Sequence, residues 1–248
     1  MTDIRMIALD MDGTLLDDKK EITSWTKKQI MKAHQAGVII VLCTGRPFHH
    51  CYTYVQNLQL NSHLITCNGG QIFESDYTTV IAEYLLEAEA LADLYRYAHD
   101  LKMDTWTISS KEPFYNDIPD NYNDYRWLKF SCSHKDEKIL NKIEAKVHSI
   151  DGIEVSNRTA VTVEVNPAGV NKAAALELVC EKLGITMKNV MAVGDSLNDV
   201  RMIQSAGIGV AMGNAQKAVL EVADEITDTN NQDGVGKAIK KYILSAGV

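Results

Sequence analysis

The sequence predicts an α/β protein: a three-layer α/β/α core built on a parallel sheet and interrupted by an inserted α+β domain. Three observations lead there. Strand-like and helix-like segments alternate through the first and last thirds of the chain, the pattern of a parallel sheet with right-handed crossovers. The run VIIVLC at residues 38–43 is continuously apolar, as a strand buried on both faces requires. Between residues 84 and 166 the pattern changes to two helical stripes and several alternating strands. The core is thus expected at residues 1–83 and 167–248, and the inserted domain at residues 84–166.

Taken in order, residues 4–9 form the first expected strand and a polar stretch follows at residues 17–21. A helix then starts with Ser24 as its N-cap and stops at Gly37. After the strand at 38–43, Pro47 suits the first turn of the next helix. Residues 64–67 are a short third strand, ended by Asn68-Gly69-Gly70. In the middle segment Leu91, Leu94, Tyr95, Ala98 and Leu101 make one helical stripe, and Ile139, Leu140, Ile143 and Val147 another. Residues 161–165 (VTVEV) alternate as a strand with one solvated face does. The last third reads as a helix at 171–183, a strand at 190–193, a helix to Ser205, a strand at 208–212, a helix at 215–223, a short strand at Ile226 and a terminal helix at 235–244.

The formal net charge of −8 argues against a nucleic-acid or anionic-membrane surface as partner, while leaving room for a phosphate-bearing ligand at a local positive site. The N-terminus lacks the succession of a signal peptide, and no apolar run is long enough to span a bilayer. The five cysteines are scattered with no Cys-x-x-Cys pair, which points to reduced thiols in a cytoplasmic protein. His49-His50-Cys51 reads as a helix surface rather than a zinc site, because adjacent helical residues diverge.

Chemistry concentrates at the element boundaries. Asp10-Met11-Asp12-Gly13-Thr14 follows the first strand, and residues two apart on a strand share a face. Asp10 and Asp12 are therefore expected to project together from the carboxyl end of the sheet, where α/β folds bind ligands. Two close carboxylates call for a cation or a shared proton. A surface turn and a calcium loop are rivals: Glu21 falls at the twelfth position of an EF-hand, but Leu15 occupies the required glycine position and a strand precedes the motif. Three further segments stand at comparable boundaries: Thr44-Gly45-Arg46, Lys172, and Gly194-Asp195-Ser196-Leu197-Asn198-Asp199. Together they offer hard oxygen ligands suited to Mg²⁺, a hydroxyl, outward backbone N–H groups and one ammonium, which is a phosphoryl-transfer site in outline.

The same residues carry a family resemblance over nearly the whole chain. Asp10-Met11-Asp12-Gly13-Thr14-Leu15-Leu16, Thr44-Gly45-Arg46-Pro47, Asn68-Gly69, Pro167-x-Gly169-Val170-x-Lys172, Gly194-Asp195-x-x-Asn198-Asp199-x-x-Met202, Met212-Gly213-Asn214-Ala215 and Asp233-Gly234-Val235 resemble the haloacid dehalogenase-like phosphohydrolases, in their Cof-type branch. Ala173 stands where that family places Gly, and Gly70 where it places Ala. The resemblance implies a Rossmann-like core with an inserted cap lying over the site and choosing the leaving group, and a Mg²⁺-dependent phosphatase acting on a small phosphorylated metabolite. It implies Asp10 as the nucleophile that forms an aspartyl-phosphate and Asp12 as the general acid and base. Thr44, Lys172 and Asn198, with backbone N–H groups of Met11 and Gly45, are the implied phosphate contacts. Asp10, Asp12 and Asp195 are the implied metal set, with Asp199 and Arg46 in support. Phosphoryl transfer to another acceptor and a low-turnover regulatory role share this core. The substrate, whether sugar phosphate, nucleotide or phosphorylated cofactor, and the oligomeric state stay open. Trp106, Phe114, Tyr115, Tyr122, Tyr125, Trp127 and Phe130 are expected mainly as cap core, with stacking on a ligand ring as the rival reading.

Overall fold

Met6–Leu9 (β1) opens the sheet in the computed structural model, and all four of its residues are buried. The structure describes residues 3–245; residues 1–2 and 246–248, which the expected core range includes, lie outside them. Ser24–Gln35 (α1), Ile39–Cys43 (β2), Tyr52–Leu58 (α2), Leu64–Thr66 (β3), Gln71–Phe73 (β4) and Val80–Glu83 (β5) follow. The next stretch comprises Ala88–Asp100 (α3), Asp104–Ser109 (β6), Pro113–Tyr115 (β7), Trp127–Ser133 (β8), Glu137–His148 (α4), Ile153–Arg158 (β9) and Thr162–Pro167 (β10). The chain ends with Lys172–Leu183 (α5), Val190–Gly194 (β11), Val200–Ser205 (α6), Ile208–Ala211 (β12), Lys217–Leu220 (α7), Glu225–Ile226 (β13) and Gly234–Ile239 (α8), which runs into a wider π turn at Lys240–Leu244. The chain divides into two compact units, Met1–Ile81 with Lys172–Val248, and Ala82–Asn171.

The first unit is the α/β one. Its strands lie in the order β13-β12-β11-β1-β2-β3-β4-β5, and every pairing from β13 to β3 is parallel. Ile7, Leu9, Ile40 and Leu42 cluster with Ile30 and Ala33 of α1 and with Val235, Ala238 and Ile239 of α8. The alternate side chains, Met6, Ala8 and Val41, are equally buried, and α5 packs against α6. Burial on both faces is why these strands read as unbroken apolar runs.

Three local expectations are corrected. The sheet is not wholly parallel, because β4 returns antiparallel to β3 after the tight turn at Cys67–Gly69. A three-residue strand such as Gln71–Phe73 is too short to show a period. The N-cap of α1 is Thr23 rather than Ser24: its hydroxyl accepts the Thr26 N–H at 3.1 Å. The helix expected at residues 215–223 shrinks to Lys217–Leu220.

The second unit is an antiparallel sheet in the order β7-β6-β8-β10-β9, carrying α3 and α4. Leu91, Leu94 and Ala98 of α3 and Leu140, Ile143 and Val147 of α4 cluster with Phe130, Cys132, Val163 and Val165 of the strands. Trp127 and Phe130 are wholly buried in this core, and Phe114 meets Tyr125 and Trp127 edge-on at 5.2 and 5.4 Å. Tyr115 is 60% exposed.

Candidate active site

Strands β11, β1 and β2 lie side by side in parallel, so the residues that follow them meet at one sheet edge. Asp10 follows β1, Thr44 follows β2, Asp195 follows β11, and Lys172 opens α5. The sheet thus gathers chemistry from segments far apart in sequence.

Lys172 sits at the centre with no exposed surface. Its Nζ donates to Asp10 Oδ1 at 2.6 Å and to Asp199 Oδ1 at 2.7 Å. Oδ2 of Asp199 accepts the backbone N–H groups of Asp195 and Ser196, at 2.9 and 3.0 Å. Asp195 in turn accepts the hydroxyls of Thr14 and Ser196, at 3.1 and 3.2 Å. Ser196 and Asp199 also form the reciprocal cap of the short turn Leu197–Asp199, so one pair of residues starts the helix and shapes the site.

Carboxylate oxygens of Asp10, Asp195 and Asp199 lie within 4.8 Å of one another. Three acids share one ammonium, and that surplus of negative charge governs their protonation. Burial raises Asp10 most, to about 8, and the charges of Asp199 and Asp195 add to it against the pull of Lys172. Burial and Asp199 raise Asp195 to about 6. Burial works to lower Lys172, but Asp10 and Asp199 outweigh it and keep the ammonium charged. A buried, all-oxygen cluster short of positive charge fits a hard divalent cation such as Mg²⁺.

Asp12 is not brought into this group. Its carboxylate takes the Arg46 guanidinium in a fork, Nε to Oδ2 at 2.6 Å and Nη2 to Oδ1 at 2.7 Å, and Lys20 Nζ at 2.7 Å. Burial would raise Asp12, yet the hydrogen bonds from Arg46 and Lys20 hold it at about 2. The common face expected for Asp10 and Asp12 presumes a continuing strand, whereas β1 ends at Leu9 and the chain turns. Asp199 therefore occupies the place in the carboxylate cluster that the sequence assigns to Asp12.

The remaining expected residues lie around this centre. The Thr44 hydroxyl accepts the Arg46 N–H at 3.1 Å, within the turn that also holds Gly45. Met11 is wholly buried in the sheet core. Asn198 donates through Nδ2 to Asn68 Oδ1 at 2.9 Å. The sequence assigns no role to Thr14, Ser196, Asn68 or Lys20. Ser196 and Asp199 carry a readable signal, the Ser-x-x-Asp pattern of a helix start. Lys20 carries none, since it reaches Asp12 from a polar loop.

Two glycines keep the site closed. Gly13 has φ +79°, and a Cβ there would meet Asp195 Oδ2 at 2.5 Å; one at Gly194 would meet the Asp199 carboxyl carbon at the same distance. Gly13→Ala should lower the unfolding free energy by about 1–3 kcal/mol through backbone strain and push Asp195 aside. Chemical unfolding checks this, and an unchanged midpoint would refute the close approach.

The chain is similar to known proteins along nearly its whole length. Residues 7–126 and 109–239 match the model of the haloacid dehalogenase-like hydrolases. The chain is 43% identical, over 98% of its length and 97% of the relative's, to a 5-amino-6-(5-phospho-D-ribitylamino)uracil phosphatase of Bacillus subtilis (strain 168). It is 32% identical, over 97% of its length and 99% of the relative's, to a phosphoglycolate phosphatase of Methanobrevibacter smithii. A haloacid dehalogenase-like hydrolase from Bacteroides thetaiotaomicron superposes with a TM-score of 0.82 at 30% identity, covering 96% of this chain and 99% of that one.

Proposed function

The chain belongs to the haloacid dehalogenase-like hydrolases and is a phosphoric monoester hydrolase, and from that premise we propose that it is Mg²⁺-dependent, works through an aspartyl-phosphate on Asp10, and acts on a ribityl-linked pyrimidine phosphate. The observation that carries the chemistry is the buried Lys172 shared between Asp10 and Asp199, with Asp195 beside them. The observation that carries the substrate is the 43% identity, along nearly the full chain, to a phosphatase named for 5-amino-6-(5-phospho-D-ribitylamino)uracil.

Lys172 takes one oxygen of Asp10, which orients the carboxylate and leaves Oδ2 without a hydrogen bond among the described residues. That oxygen attacks phosphorus, and the ester oxygen departs with a proton from Asp12. Asp12 then takes a proton from water as the water attacks the aspartyl-phosphate and regenerates Asp10. Thr44, Asn198 and the backbone N–H groups of Met11 and Gly45 receive the phosphate oxygens. Asp10 and Asp195 would hold Mg²⁺, which when bound would supply the charge neutralisation that lets a carboxylate approach a phosphate dianion. Arg46 and Lys20 keep Asp12 ionised in this conformation, so their grip must loosen and Asp12 must take up a proton from solvent before it can hand one to the ester oxygen. We assign choice of the leaving group to the unit Ala82–Asn171. All five cysteines are free and buried, which supports a cytoplasmic setting, and no helix of the described residues is long and apolar enough to cross a membrane.

Phosphate release with Mg²⁺ tests the reading on 5-amino-6-(5-phospho-D-ribitylamino)uracil, phosphoglycolate and pyridoxal phosphate. The first should be hydrolysed with the highest kcat/KM, and a preference for either other compound would overturn the substrate assignment.

The metal has a pH signature. Folding raises Asp10 to about 8 and Asp195 to about 6, so the native protein binds more protons than the unfolded chain across that range. Groups raised in this way stabilise the metal-free protein at low pH, and that stabilisation is lost as pH rises through about 6 and then about 8. Mg²⁺ offsets the repulsion, so the gain in Tm on adding Mg²⁺ should grow between about pH 5.5 and 8.5. A gain independent of pH would count against an ion at these carboxylates.

A further inference from the structure

The sheet of the unit Ala82–Asn171 has a face that its hydrophobic core leaves unused. Phe130, Cys132, Val163 and Val165 cluster with both helices, so Lys129, Ser131 and Glu164, one position out of phase, face the other way. Strand pairing sets Tyr115 opposite Trp106, Trp106 opposite Ser131, Ser131 opposite Glu164, and Glu164 opposite Asn157. These five residues form one row across all five strands. Aromatic rings occupy one end of it and hydrogen-bonding groups the other. Lys129 joins the row diagonally, its Nζ donating to Glu164 Oε1 at 2.9 Å.

Two polar atoms in this row are buried without a hydrogen-bond partner, Ser131 Oγ and Asn157 Oδ1. Ser131 has no exposed surface at all. A buried hydroxyl left unsatisfied costs stability, and a face selected for packing alone would carry an apolar residue there. The half-buried Trp106 and the exposed Tyr115 keep the aromatic end of the row open.

We propose that this row is the recognition surface for a flat, polar heterocycle of the pyrimidinedione type. Trp106 and Tyr115 supply the stacking surface, Glu164 and Asn157 accept from ring N–H groups, and Lys129 and Ser131 donate to ring carbonyls. A plain polyol would leave the aromatic end idle, and a second phosphate would meet the Glu164 carboxylate. The ring's identity rests on the substrate proposed above, whose aminouracil presents such an edge.

Calorimetric titration of the full-length protein with the phosphate-free 5-amino-6-(D-ribitylamino)uracil tests this without requiring turnover. The wild type should bind it, Ser131→Ala should bind about tenfold more weakly, and Tyr115→Ala, an exposed position that can change without unfolding the unit, should weaken it by a similar factor. In parallel, kcat/KM for phosphoglycolate, which has no ring, should stay within about twofold in both variants. No binding by the wild type, equal binding by both variants, or equal loss on phosphoglycolate would overturn the assignment. Ring binding without hydrolysis of the ribityl phosphate would sustain this surface and defeat the proposed function alone.

Discussion

Asp10→Asn should lower phosphate release by on the order of 10⁴-fold or more, because the amide cannot form the aspartyl-phosphate. The fold should survive. The new side chain keeps a carbonyl oxygen for Lys172, and Lys172 keeps Asp199. Removing one of three crowded carboxylates also relieves repulsion, so the metal-free variant should melt no lower than the wild type. Turnover and a melting curve decide the matter together: a folded variant retaining more than about a hundredth of the activity would remove Asp10 as nucleophile.

Lys172→Met should cost both stability and rate. The ammonium is wholly buried between Asp10 and Asp199, and its removal leaves two buried carboxylates facing each other unpaired. Breaking such a cluster costs about 3–5 kcal/mol, read as a fall in the urea midpoint. Loss of a fixed charge at the reacting phosphate should lower kcat about 10²–10³-fold. Lys172→Arg should not restore the rate, since a planar fork cannot replace a compact donor held by two acids. Mg²⁺ should return part of the stability of the methionine variant by neutralising the same acids. Stability unchanged within about 1 kcal/mol would show that the pair contributes little to folding.

Asp10, Thr44, Lys172 and Asp195 were legible because each stands where an apolar run or helix pattern breaks, and a parallel sheet brings such breaks to one edge. Asp199 was legible through the family motif that holds Asp195 and Asn198, and the structure turns its supporting role into a definite contact with Lys172. The placement of Asp12 was not legible: strand alternation was carried one turn beyond the last residue of β1, and its partners Lys20 and Arg46 come from loops with no period. The reversal at β4 is illegible for a similar reason, since Gln71–Phe73 is too short to announce a direction. Long apolar strands were read well because burial on both faces leaves a continuous signature. The helix expected at residues 215–223 outruns the observed Lys217–Leu220 because propensity alone does not say where tertiary contacts stop.

The site's contacts span most of the chain: Lys172 reaches Asp10 across 162 positions, and Thr14 reaches Asp195 across 181. Closing loops of that length is slow, and the parallel pairing of β1 with β11 joins segments from opposite ends of the polypeptide. Secondary structure regained early in refolding would therefore be catalytically silent. Recovery of turnover would time the late union of the two ends of the sheet, making the reaction itself a clock for the slowest contacts in the molecule.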